Sequence, residues 1–292
     1  MKILLFGKNG QLGSELRRSL LALGPVSALD KEDLDLTNPQ AVAGVIRTQR
    51  PAVIINASAY TAVDRAENEP EIAFKINAFA PEIMAQSASE IGAVFIHFST
   101  DYVFDGTKNT LYCEDDQTNP INVYGQSKLE GEQRILQNAA AALIFRTSWV
   151  YSLSADNFVT KTLAWARQHE TLRIVNDQIG SPTWARQLAE TTSALVARAG
   201  KRPLDYIAER RGLYHLAGKG AVSRLEFSRQ VLALDPHQAD QRCREILPAS
   251  TADFPTRARR PLFTALECSR FETVFDLNII SWQQALQLAM NS

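Results

Sequence analysis

The sequence predicts an α/β fold in which a doubly wound parallel sheet is followed by a smaller C-terminal lobe. Short, almost uninterrupted apolar runs alternate with helix-like segments through the first half of the 292 residues. A glycine-rich loop directly follows the first apolar run, and the regular alternation ends at about residue 150. Parallel strands that are covered by helices on both faces have continuous apolar sequences, so this pattern favours a doubly wound sheet.

The first half of the chain supplies the predicted strands and helices of this sheet. The runs predicted as strands are KILLFG, VSALD, AVIIN, AVFIHFST and AALIFRTSWVY. The predicted helices are QLGSELRRSLLALG, TNPQAVAGVIRTQR, PEIAFKINAFAPEIMAQSASEIG and the segment that begins with VYGQSK. Leucines recur at helical spacing in the first of these helices. In the second, Asn38 can cap the helix and Pro39 fits its first position.

The second half of the chain has less regular spacing. TLRIVNDQIGSPTW, GLYHLAG and REILPAS are predicted to contain strands, and ARQLAETTSALVARAG and SRLEFSRQVLAL are predicted to be helical. The segment SWQQALQLAM is predicted to be a short amphipathic helix capped by Ser281. We therefore expect residues 1–150 to form the sheet domain, and residues 151–292 to form a mixed region of later sheet strands and a lobe.

Composition and charge exclude several classes of function. The chain is 45% hydrophobic and 22% charged, as is usual for a globular protein, and its net charge is −1. This balance argues against a nucleic-acid partner or an anionic membrane partner. No apolar run approaches the ~20 residues of a membrane span. The apolar N-terminus is too short for a secretory signal, and three widely spaced cysteines suit a reducing compartment, so we expect a cytoplasmic protein.

The loop GKNGQLG places glycines at Gly7, Gly10 and Gly13, between the first strand and the first helix. The spacing differs from the usual G-x-G-x-x-G fingerprint, but it provides the same tight turn, close approach of backbone to a pyrophosphate, and close helix packing. The helix N-terminus then presents free N–H groups to phosphates. A turn with incidental glycines is the alternative, and the position directly after the first strand disfavours it. Residues 1–150 are thus predicted to be a Rossmann-type dinucleotide-binding domain.

Two residues after the second strand bear on the choice of dinucleotide. Asp30 lies 20 positions beyond Gly10, where a carboxylate can bind the ribose diol of NADH. Lys31 follows it, and a cation there can instead tolerate the 2′-phosphate of NADPH. The sequence leaves both cofactors open.

Tyr124 and Lys128, in VYGQSK, lie four residues apart on a predicted helix and therefore share one face. An ammonium beside a phenol lowers a phenol pKa that starts near ~10, and such a tyrosine can act as a general acid near neutral pH. The alternative for an isolated pair is a surface helix on which the two side chains never meet. The surrounding motifs decide between these interpretations.

These motifs together resemble the extended short-chain dehydrogenase/reductase superfamily. They are the GKNGQLG loop, NASAYTAVD after the third strand, FSTDYVFDG after the fourth, and the Tyr124–Lys128 pair 24 positions beyond Thr100. Within that superfamily, STDYVFDG, PINVYGQSKLEGE, LIFRTSWVY, VNDQIGSPT and GLYHLAG are similar to the family of the dTDP-4-dehydrorhamnose reductases. The similarity covers most of the chain and weakens after about residue 265.

The resemblance implies roles for individual residues. Thr100 is expected to bond the substrate carbonyl oxygen, Tyr124 to donate a proton to it, and Lys128 to bind the nicotinamide ribose and lower the tyrosine pKa. Residues expected to border the cofactor are Gly7, Gly10, Gln11, Leu12, Gly13, Asp30, Asp35, Leu36, Ala57, Ala59, Tyr60, Thr61, Tyr124 and Lys128. Residues expected near the substrate are Thr100, Asp101, Val103, Trp149 and Arg260.

Several of these assignments have structural alternatives. Trp149 ends an apolar strand and has a core residue as its less favoured alternative, whereas Arg260 lies in a run of arginines that a solvated surface explains equally well. His97, inside an apolar strand, is expected to be a hydrogen-bonded core histidine rather than a base. The family is often associated with Mg²⁺. Glu15 is a candidate ligand, but Arg186 stands where an acidic cluster would need carboxylates, so no metal site is expected.

The predicted function is NAD(P)H-dependent reduction of the C4 ketone of dTDP-4-dehydro-6-deoxy-L-mannose to dTDP-L-rhamnose. Two alternatives remain open: a related nucleotide-sugar 4-ketoreductase or epimerase, and a non-catalytic, NADP-binding regulatory subunit of the same fold. An epimerase would return its hydride to the substrate and retain NAD. The intact set of Thr100, Tyr124 and Lys128 weighs against the regulatory subunit. The expected partners are a nucleotide sugar and, in a homodimer, a second copy of the chain.

Overall fold

The central sheet of this computed structural model, which describes residues 1–291, is parallel throughout. Its strand order is β10-β5-β4-β3-β1-β2. The strands of this sheet are β1 (Ile3–Phe6), β2 (Val26–Leu29), β3 (Val53–Asn56), β4 (Val94–Thr100), β5 (Ala142–Thr147) and β10 (Gly212–His215). The predicted doubly wound α/β fold is confirmed. The order reverses on the two sides of β1, which leaves a crevice at the carboxyl ends of β1 and β3.

Helices cover both faces of this sheet. The long helices are α1 (Gln11–Ser19), α2 (Pro39–Gln49), α5 (Ala80–Ile91), α6 (Val123–Asn138) and α8 (Ala185–Ala199). Leucines of α1 and α8 pack on one face of the sheet, whereas apolar residues of α2, α5 and α6 pack on the other. Shorter helices are α3 (Val63–Ala66), α4 (Pro70–Phe74), α9 (Pro203–Ala208) and α11 (Ser269–Phe275).

Local sequence explains where the helices begin. Asn38 accepts a hydrogen bond from the N–H of Ala41 at 3.0 Å and Pro39 occupies the first helical position, as predicted. Ser281 caps the last helix by accepting from the N–H of Gln284. Asn122 caps α6 by accepting from the N–H of Gly125 at 2.8 Å, and this cap fixes the helix two residues before Tyr124.

The second half of the chain is shared between the sheet and a separate lobe. Helix α8 packs on α1 and strand β10 extends the sheet beside β5. The lobe contains β6 (Val150–Tyr151), β7 (Thr171–Val175), β8 (Ile179–Gly180), β9 (Thr183–Trp184), β11 (Val222–Ser223) and β12 (Glu245–Ala249). It also contains α7 (Phe158–Gln168), α10 (Arg224–Ala233) and α12 (Trp282–Met290). Strands β7 and β12 pair with each other rather than with the central sheet.

Within residues 1–291, none of the helices has both the length and the apolar character that crossing a membrane requires.

Candidate active site

Two adjoining cavities lie at the carboxyl ends of the central strands. The smaller has a volume of about 270 Å³ and extends past the end of β2, and the larger, of about 560 Å³, reaches the lobe. Both are lined by Gly7, Asp30, Ser58 and Ala59. The two cavities therefore form one continuous cleft across the point where the strand order reverses.

The glycine loop shapes the floor of this cleft. Gly7 has a φ of +86°, and a Cβ there would lie 2.7 Å from the backbone nitrogen of Ser58. A Cβ on Gly13 would lie 1.8 Å from the carbonyl oxygen of Gly7. Only glycine fits at either position, because the neighbouring atoms belong to the backbone. Gly13 thus serves helix packing and lines neither cavity, whereas Gly10 at the N-terminus of α1 lines the larger one.

The other residues predicted to border the cofactor all line one of the two cavities. Those at the smaller cavity are Gly7, Asp30, Asp35, Leu36, Ala59 and Tyr60. Those at the larger cavity are Gly7, Gly10, Gln11, Leu12, Asp30, Ala57, Ala59, Thr61, Tyr124 and Lys128. The side chain of Gln11 is engaged with the lobe, since its Oε1 accepts from the N–H of Ser152 at 2.9 Å. A phosphate would therefore meet the backbone of Gln11 rather than its amide.

Asp30 lies directly after β2 and its carboxylate is oriented by backbone donors. It accepts hydrogen bonds from the N–H groups of Asn9 and Lys31, both at 2.8 Å. Lys31 lines the smaller cavity beside it. The cleft therefore presents a carboxylate and an ammonium side by side. We expect them at the adenosine ribose, where NADH has a hydroxyl and NADPH has a 2′-phosphate.

Asn77 is a buried residue behind the cleft, and the sequence interpretation did not single it out. It lies in a π-helical turn, Lys75–Phe79, and its Oδ1 accepts from the N–H of Tyr60 at 2.8 Å. Its Nδ2 donates to Ser127 of α6 at 3.0 Å. This one buried amide ties the loop after β3 to the helix that carries Tyr124. Pro81 within the helical run was the signal of irregularity there, since proline cannot donate to the preceding turn.

Thr100, Tyr124 and Lys128 all line the larger cavity, as predicted for a catalytic set. Thr100 ends β4, where its hydroxyl donates to Asp101 at 3.1 Å and accepts from the N–H of Tyr102 at 3.2 Å. Tyr124 lies in the first turn of α6, and its ring packs edge-on against Tyr102. The three residues therefore lie at one cavity, and their catalytic roles stay a prediction.

The pKa of Tyr124 differs from the expectation. Burial of the phenol raises its pKa well above the usual value, and a hydrogen bond with Thr100 lowers it by less. The prediction that Lys128 lowers the pKa of Tyr124 is therefore wrong, because the pKa is raised and Lys128 is not among the causes of the shift. The reason is geometric: Nζ of Lys128 donates to the carbonyl of Phe98 at 2.7 Å and contacts His97 at 3.0 Å.

Lys128 is buried, which excludes the surface-helix alternative for the Tyr124–Lys128 pair. Only 1% of its surface is exposed, and burial lowers the pKa of its ammonium to about 8. His97, also fully buried, has hydrogen-bond contacts at both ring nitrogens. The interpretation of His97 as a hydrogen-bonded core histidine is confirmed.

Asp101 is a buried carboxylate that three hydroxyls surround. Besides Thr100, the hydroxyl of Ser148 donates to it at 2.8 Å and that of Thr264 at 2.5 Å. Burial raises the pKa of Asp101, and these hydrogen bonds act in the opposite direction. Asp101 lines the larger cavity and joins β4, the end of β5 and the C-terminal segment.

Trp149 stands where the larger cavity meets the lobe. It has a φ of 45°, which is uncommon for a residue with a side chain and is typical of functional positions. Its indole packs so closely on Gly180 that a Cβ there would lie 2.4 Å from it. Trp149 is half-buried and lines the cavity, so it is more than a core residue.

Arg224, at the first position of α10, was not singled out in the sequence. Its guanidinium lies 4.0 Å from the ring centre of Trp149 and 4.8 Å from that of Phe158, and its Nε donates to Gln178 at 3.0 Å. No carboxylate of residues 1–291 forms a salt bridge with it. Burial lowers the pKa of Arg224. Burial also raises the pKa of Tyr102, and the charges of Arg224 and Arg260 offset part of that rise. The local sequence, a serine cap followed by a helix, gave no sign that Arg224 packs against Trp149.

Two predicted substrate residues are placed differently from the expectation. Val103 is fully buried in the hydrophobic core and lines neither cavity, so its expected contact with the sugar is not supported. The 3₁₀ turn Asp101–Val103 directs its side chain into the core while Asp101 faces the cleft. Arg260 lines neither cavity, and its Nη2 donates to Asp64 at 2.7 Å.

The residues around Glu15 do not suit a metal ion. Its carboxylate accepts from Arg18 at 2.7 Å and from Arg186 at 3.4 Å, and two guanidinium groups oppose a divalent cation. Among residues 1–291, no three carboxylate, histidine or cysteine side chains converge as a ligand group would. We therefore derive no step through Mg²⁺.

Comparison with known proteins gives concordant matches over the whole length. A family model described as the RmlD substrate binding domain matches residues 1–292. The dTDP-4-dehydrorhamnose reductase of Shigella flexneri is 41% identical over 297 residues, which cover 100% of this chain and 97% of that protein.

Two crystal structures are similar in fold as well as in sequence. A dTDP-4-dehydrorhamnose reductase from Clostridium acetobutylicum has a TM-score of 0.90 at 33% identity, covering 100% of this chain and 99% of that one. A dTDP-4-dehydrorhamnose reductase from Bacillus anthracis, in complex with NADP, has a TM-score of 0.89 at 32% identity, covering 99% and 98%.

Proposed function

The chain belongs to the family of the dTDP-4-dehydrorhamnose reductases, and from that premise we propose that it reduces the C4 ketone of dTDP-4-dehydro-6-deoxy-L-mannose to dTDP-L-rhamnose with NADPH or NADH. One observation carries the proposal for this chain. The hydroxyls of Thr100 and Tyr124 lie in the cavity that joins the glycine loop to Trp149. A ketone held there would lie between a dinucleotide cleft and the lobe.

The cleft suits a reduced dinucleotide. Gly7 lets the glycine loop turn tightly against the backbone of Ser58, and the N-terminus of α1 can present backbone N–H groups to a pyrophosphate. Asp30 and Lys31 would contact the adenosine ribose, and Lys128 the nicotinamide ribose. The reduced nicotinamide supplies the hydride when it is bound.

The protein's contribution to the reaction is proton donation and orientation. Because burial raises the pKa of Tyr124, its phenol stays protonated at neutral pH and can donate to the carbonyl oxygen as that oxygen becomes an alkoxide. Thr100 can turn its hydroxyl from Asp101 toward the same oxygen. Asp101 then keeps its hydrogen bonds from Ser148 and Thr264.

The substrate end supports a nucleotide diphosphate sugar. Trp149 offers an aromatic face to a sugar ring, while Arg224 and Arg260 place two positive charges near Tyr102. The guanidinium of Arg224 is half-buried and has no carboxylate partner among the salt bridges of residues 1–291, so an anionic ligand would offset part of its desolvation cost. Binding energy from the nucleotide can in turn orient the ketone at Tyr124.

The decisive experiment supplies the purified protein with the 4-ketosugar nucleotide and NADPH. Oxidation of NADPH should match the amount of sugar reduced, and chromatography should identify the product as dTDP-L-rhamnose. Formation of the other 4-epimer would support reduction of a C4 ketone but would contradict dTDP-L-rhamnose as the product. Tight retention of NAD without net oxidation would favour the epimerase. Cofactor binding without turnover would favour the regulatory subunit and contradict the proposal.

We also infer that the chain pairs with a second copy in solution. Ile72, on α4, and Phe79, in the π-helical turn after it, are 41% and 42% exposed, and exposed large apolar side chains such as these can contribute to a subunit interface. Light scattering should give twice the 32.4 kDa of the chain. A mass of one chain at working concentrations would contradict the homodimer.

A cytoplasmic location is proposed with this function. The described residues contain three free thiols, of Cys113, Cys243 and Cys268, and Cys113 is exposed. Exposed free thiols suit a reducing compartment. Cell fractionation should place the protein with cytoplasmic markers, and recovery in a membrane or secreted fraction would contradict this location.

A further inference from the structure

The side chain of Gln11 joins the glycine loop to one segment of the lobe, residues 150–157. Its Oε1 accepts from the N–H of Ser152 and from Nδ2 of Asn157, both at 2.9 Å, and from the Ser152 hydroxyl at 3.3 Å. Its Nε2 donates to the carbonyl of Val150 at 3.3 Å. These partners lie 139–146 positions further along the chain, so the amide connects the first strand–helix turn of the sheet domain with the lobe.

The backbone of the same residue lies where a dinucleotide is expected. Gln11 is the first residue of α1, and it lines the larger cavity beside Gly10. The first N–H groups of a helix have no partner within the helix, so they are free to bind a pyrophosphate. A ligand bound at this backbone would therefore fix the residue whose side chain holds the lobe.

The segment that Gln11 holds belongs to the substrate end of the cleft. Strand β6 begins at Val150, directly after Trp149. Trp149, Val150 and Ala155 all line the larger cavity. The hydrogen bond from Gln11 to the carbonyl of Val150 thus fixes the backbone one residue beyond the indole that we place at the sugar.

Asn157 makes this segment a compact unit. Its Nδ2 donates to the carbonyl oxygens of Ser152 and Ala155, at 2.5 and 2.9 Å, as well as to Gln11. Its Oδ1 accepts from the N–H of Val159 at 2.9 Å and caps α7. Because one amide bonds both ends of the turn, a change in the position of Gln11 would move the turn as a whole.

The other long polar side chains of the glycine loop are bound locally. Nζ of Lys8 donates to Asp33 at 2.6 Å, and Nδ2 of Asn9 lies 3.5 Å from Glu32 as a donor. Both partners belong to the loop that follows β2, at the cofactor end. Of these three side chains, that of Gln11 is the one that reaches the lobe.

We propose that Gln11 is a positioning residue that couples the two ends of the cleft, so that a bound dinucleotide raises the affinity of the lobe for the nucleotide sugar. This inference rests on the proposed reductase function. When a pyrophosphate fixes the first turn of α1, Gln11 holds residues 150–157 in place, and the nucleotide sugar then has less motion to remove on binding. Such coupling is reciprocal, so the nucleotide sugar raises the affinity for the dinucleotide by the same factor.

ADP-ribose and dTDP-L-rhamnose test this coupling without chemistry. ADP-ribose carries the pyrophosphate and both riboses of the cofactor, but it lacks the nicotinamide that would contact the sugar or exchange a hydride with it. Isothermal titration calorimetry gives the Kd for dTDP-L-rhamnose with and without saturating ADP-ribose. Hydrogen exchange followed by mass spectrometry reports how ADP-ribose alone affects the backbone of residues 150–157.

Two glutamine variants complete the experiment. Gln11→Met removes the hydrogen bonds to Val150, Ser152 and Asn157 but keeps the length of the side chain and the backbone N–H. Gln40→Met makes the same exchange at an exposed position in the first turn of α2, so it is the matched control.

In the wild-type protein and in Gln40→Met, we expect ADP-ribose to lower the Kd for dTDP-L-rhamnose by about 5-fold or more. ADP-ribose should also slow hydrogen exchange in residues 150–157 of both proteins. In Gln11→Met the ratio of the two Kd values should fall to about 1, and exchange in residues 150–157 should no longer respond to bound ADP-ribose.

Three results would count against these expectations in different ways. Binding of both ligands to the wild-type protein without any change in Kd would overturn the coupling, even if Gln11→Met does not fold. Equal coupling in the wild type and in Gln11→Met would overturn the role of Gln11. Failure of dTDP-L-rhamnose to bind would contradict the proposed function, while slowed exchange with ADP-ribose would still support the link through Gln11.

Discussion

The two ends of the cleft are built in different ways. Apart from Tyr124 and Lys128, the cofactor end is formed largely by the ends of β1 and β3 within the first 61 residues, where the glycine loop leads into the N-terminus of α1. The substrate end uses side chains from distant segments, as when Thr264 bonds Asp101 across 163 positions. A site made by local backbone can be predicted from a motif, whereas one made by distant side chains depends on the whole fold.

A substitution at Tyr124, where the cofactor end and the substrate end meet, should have the largest effect on activity. Tyr124→Phe removes the proton donor, and kcat should fall by ~10² or more while the Kd for NADPH stays within about twofold. Steady-state kinetics and fluorescence titration of NADPH measure the two quantities. Tyr206→Phe, in α9 and outside both cavities, is the matched control. Turnover close to wild type in Tyr124→Phe would remove the phenol from the mechanism.

Two glycine variants test the cofactor end of the cleft, which depends on the backbone. Gly7→Ala places a Cβ 2.7 Å from the Ser58 nitrogen at a φ of +86°, so affinity for NADPH should drop by ~10–100-fold. Gly44→Ala, in α2, meets no atom within 4 Å and should stabilise the protein by ~0.5–1 kcal/mol. Titration and thermal unfolding measure both. Equal NADPH affinity in the two variants would contradict a cofactor end that depends on backbone approach.

Two arginine variants on one helix test the substrate end of the cleft, which depends on side chains. Arg224→Gln should raise KM for the nucleotide sugar by ~10–30-fold and leave the Kd for NADPH unchanged, because its guanidinium packs on Trp149, which lines the larger cavity on the lobe side. Arg229→Gln, exposed on the same helix α10, should change neither value. If Arg224→Gln weakened the cofactor instead, the division of the cleft into two ends would fail.

The smallest effect concerns the choice of cofactor. Because Asp30 and Lys31 act in opposite directions, we expect NADPH and NADH to differ in kcat/KM by no more than ~10–30-fold, or ~1.4–2 kcal/mol. Asp30→Ala should shift the ratio toward NADPH by removing a charge that repels the 2′-phosphate. An unchanged ratio would show that Asp30 does not contact the ribose.

Sequence reasoning succeeded where spacing along the chain carries the chemistry. The glycine loop, the strand ends at Ala57 and Thr100, and the Tyr124–Lys128 pair are all local patterns, and each lines the cleft. The sequence could not place Arg224, since its neighbours Trp149 and Phe158 come from other elements.

The predictions of the Tyr124 pKa and of the Val103 position were wrong for related reasons. The spacing of Tyr124 and Lys128 predicts a shared helix face, but it does not reveal that Nζ of Lys128 contacts His97 and donates to the carbonyl of Phe98 on β4. Likewise, the motif around Asp101 does not reveal which side chain of its tight turn faces the core. Both depend on strands that pack against the motif.

The central claim is that the two ends cooperate in one reduction, and isotope transfer tests it most directly. NADPH deuterated at the transferable hydrogen is incubated with the protein and dTDP-4-dehydro-6-deoxy-L-mannose, and the sugar is analysed by NMR. We expect one deuterium at C4 of the dTDP-L-rhamnose for each NADPH oxidised, and we expect this transfer to be lost in Tyr124→Phe. A sugar that returns without deuterium while the cofactor remains reduced would contradict the claim.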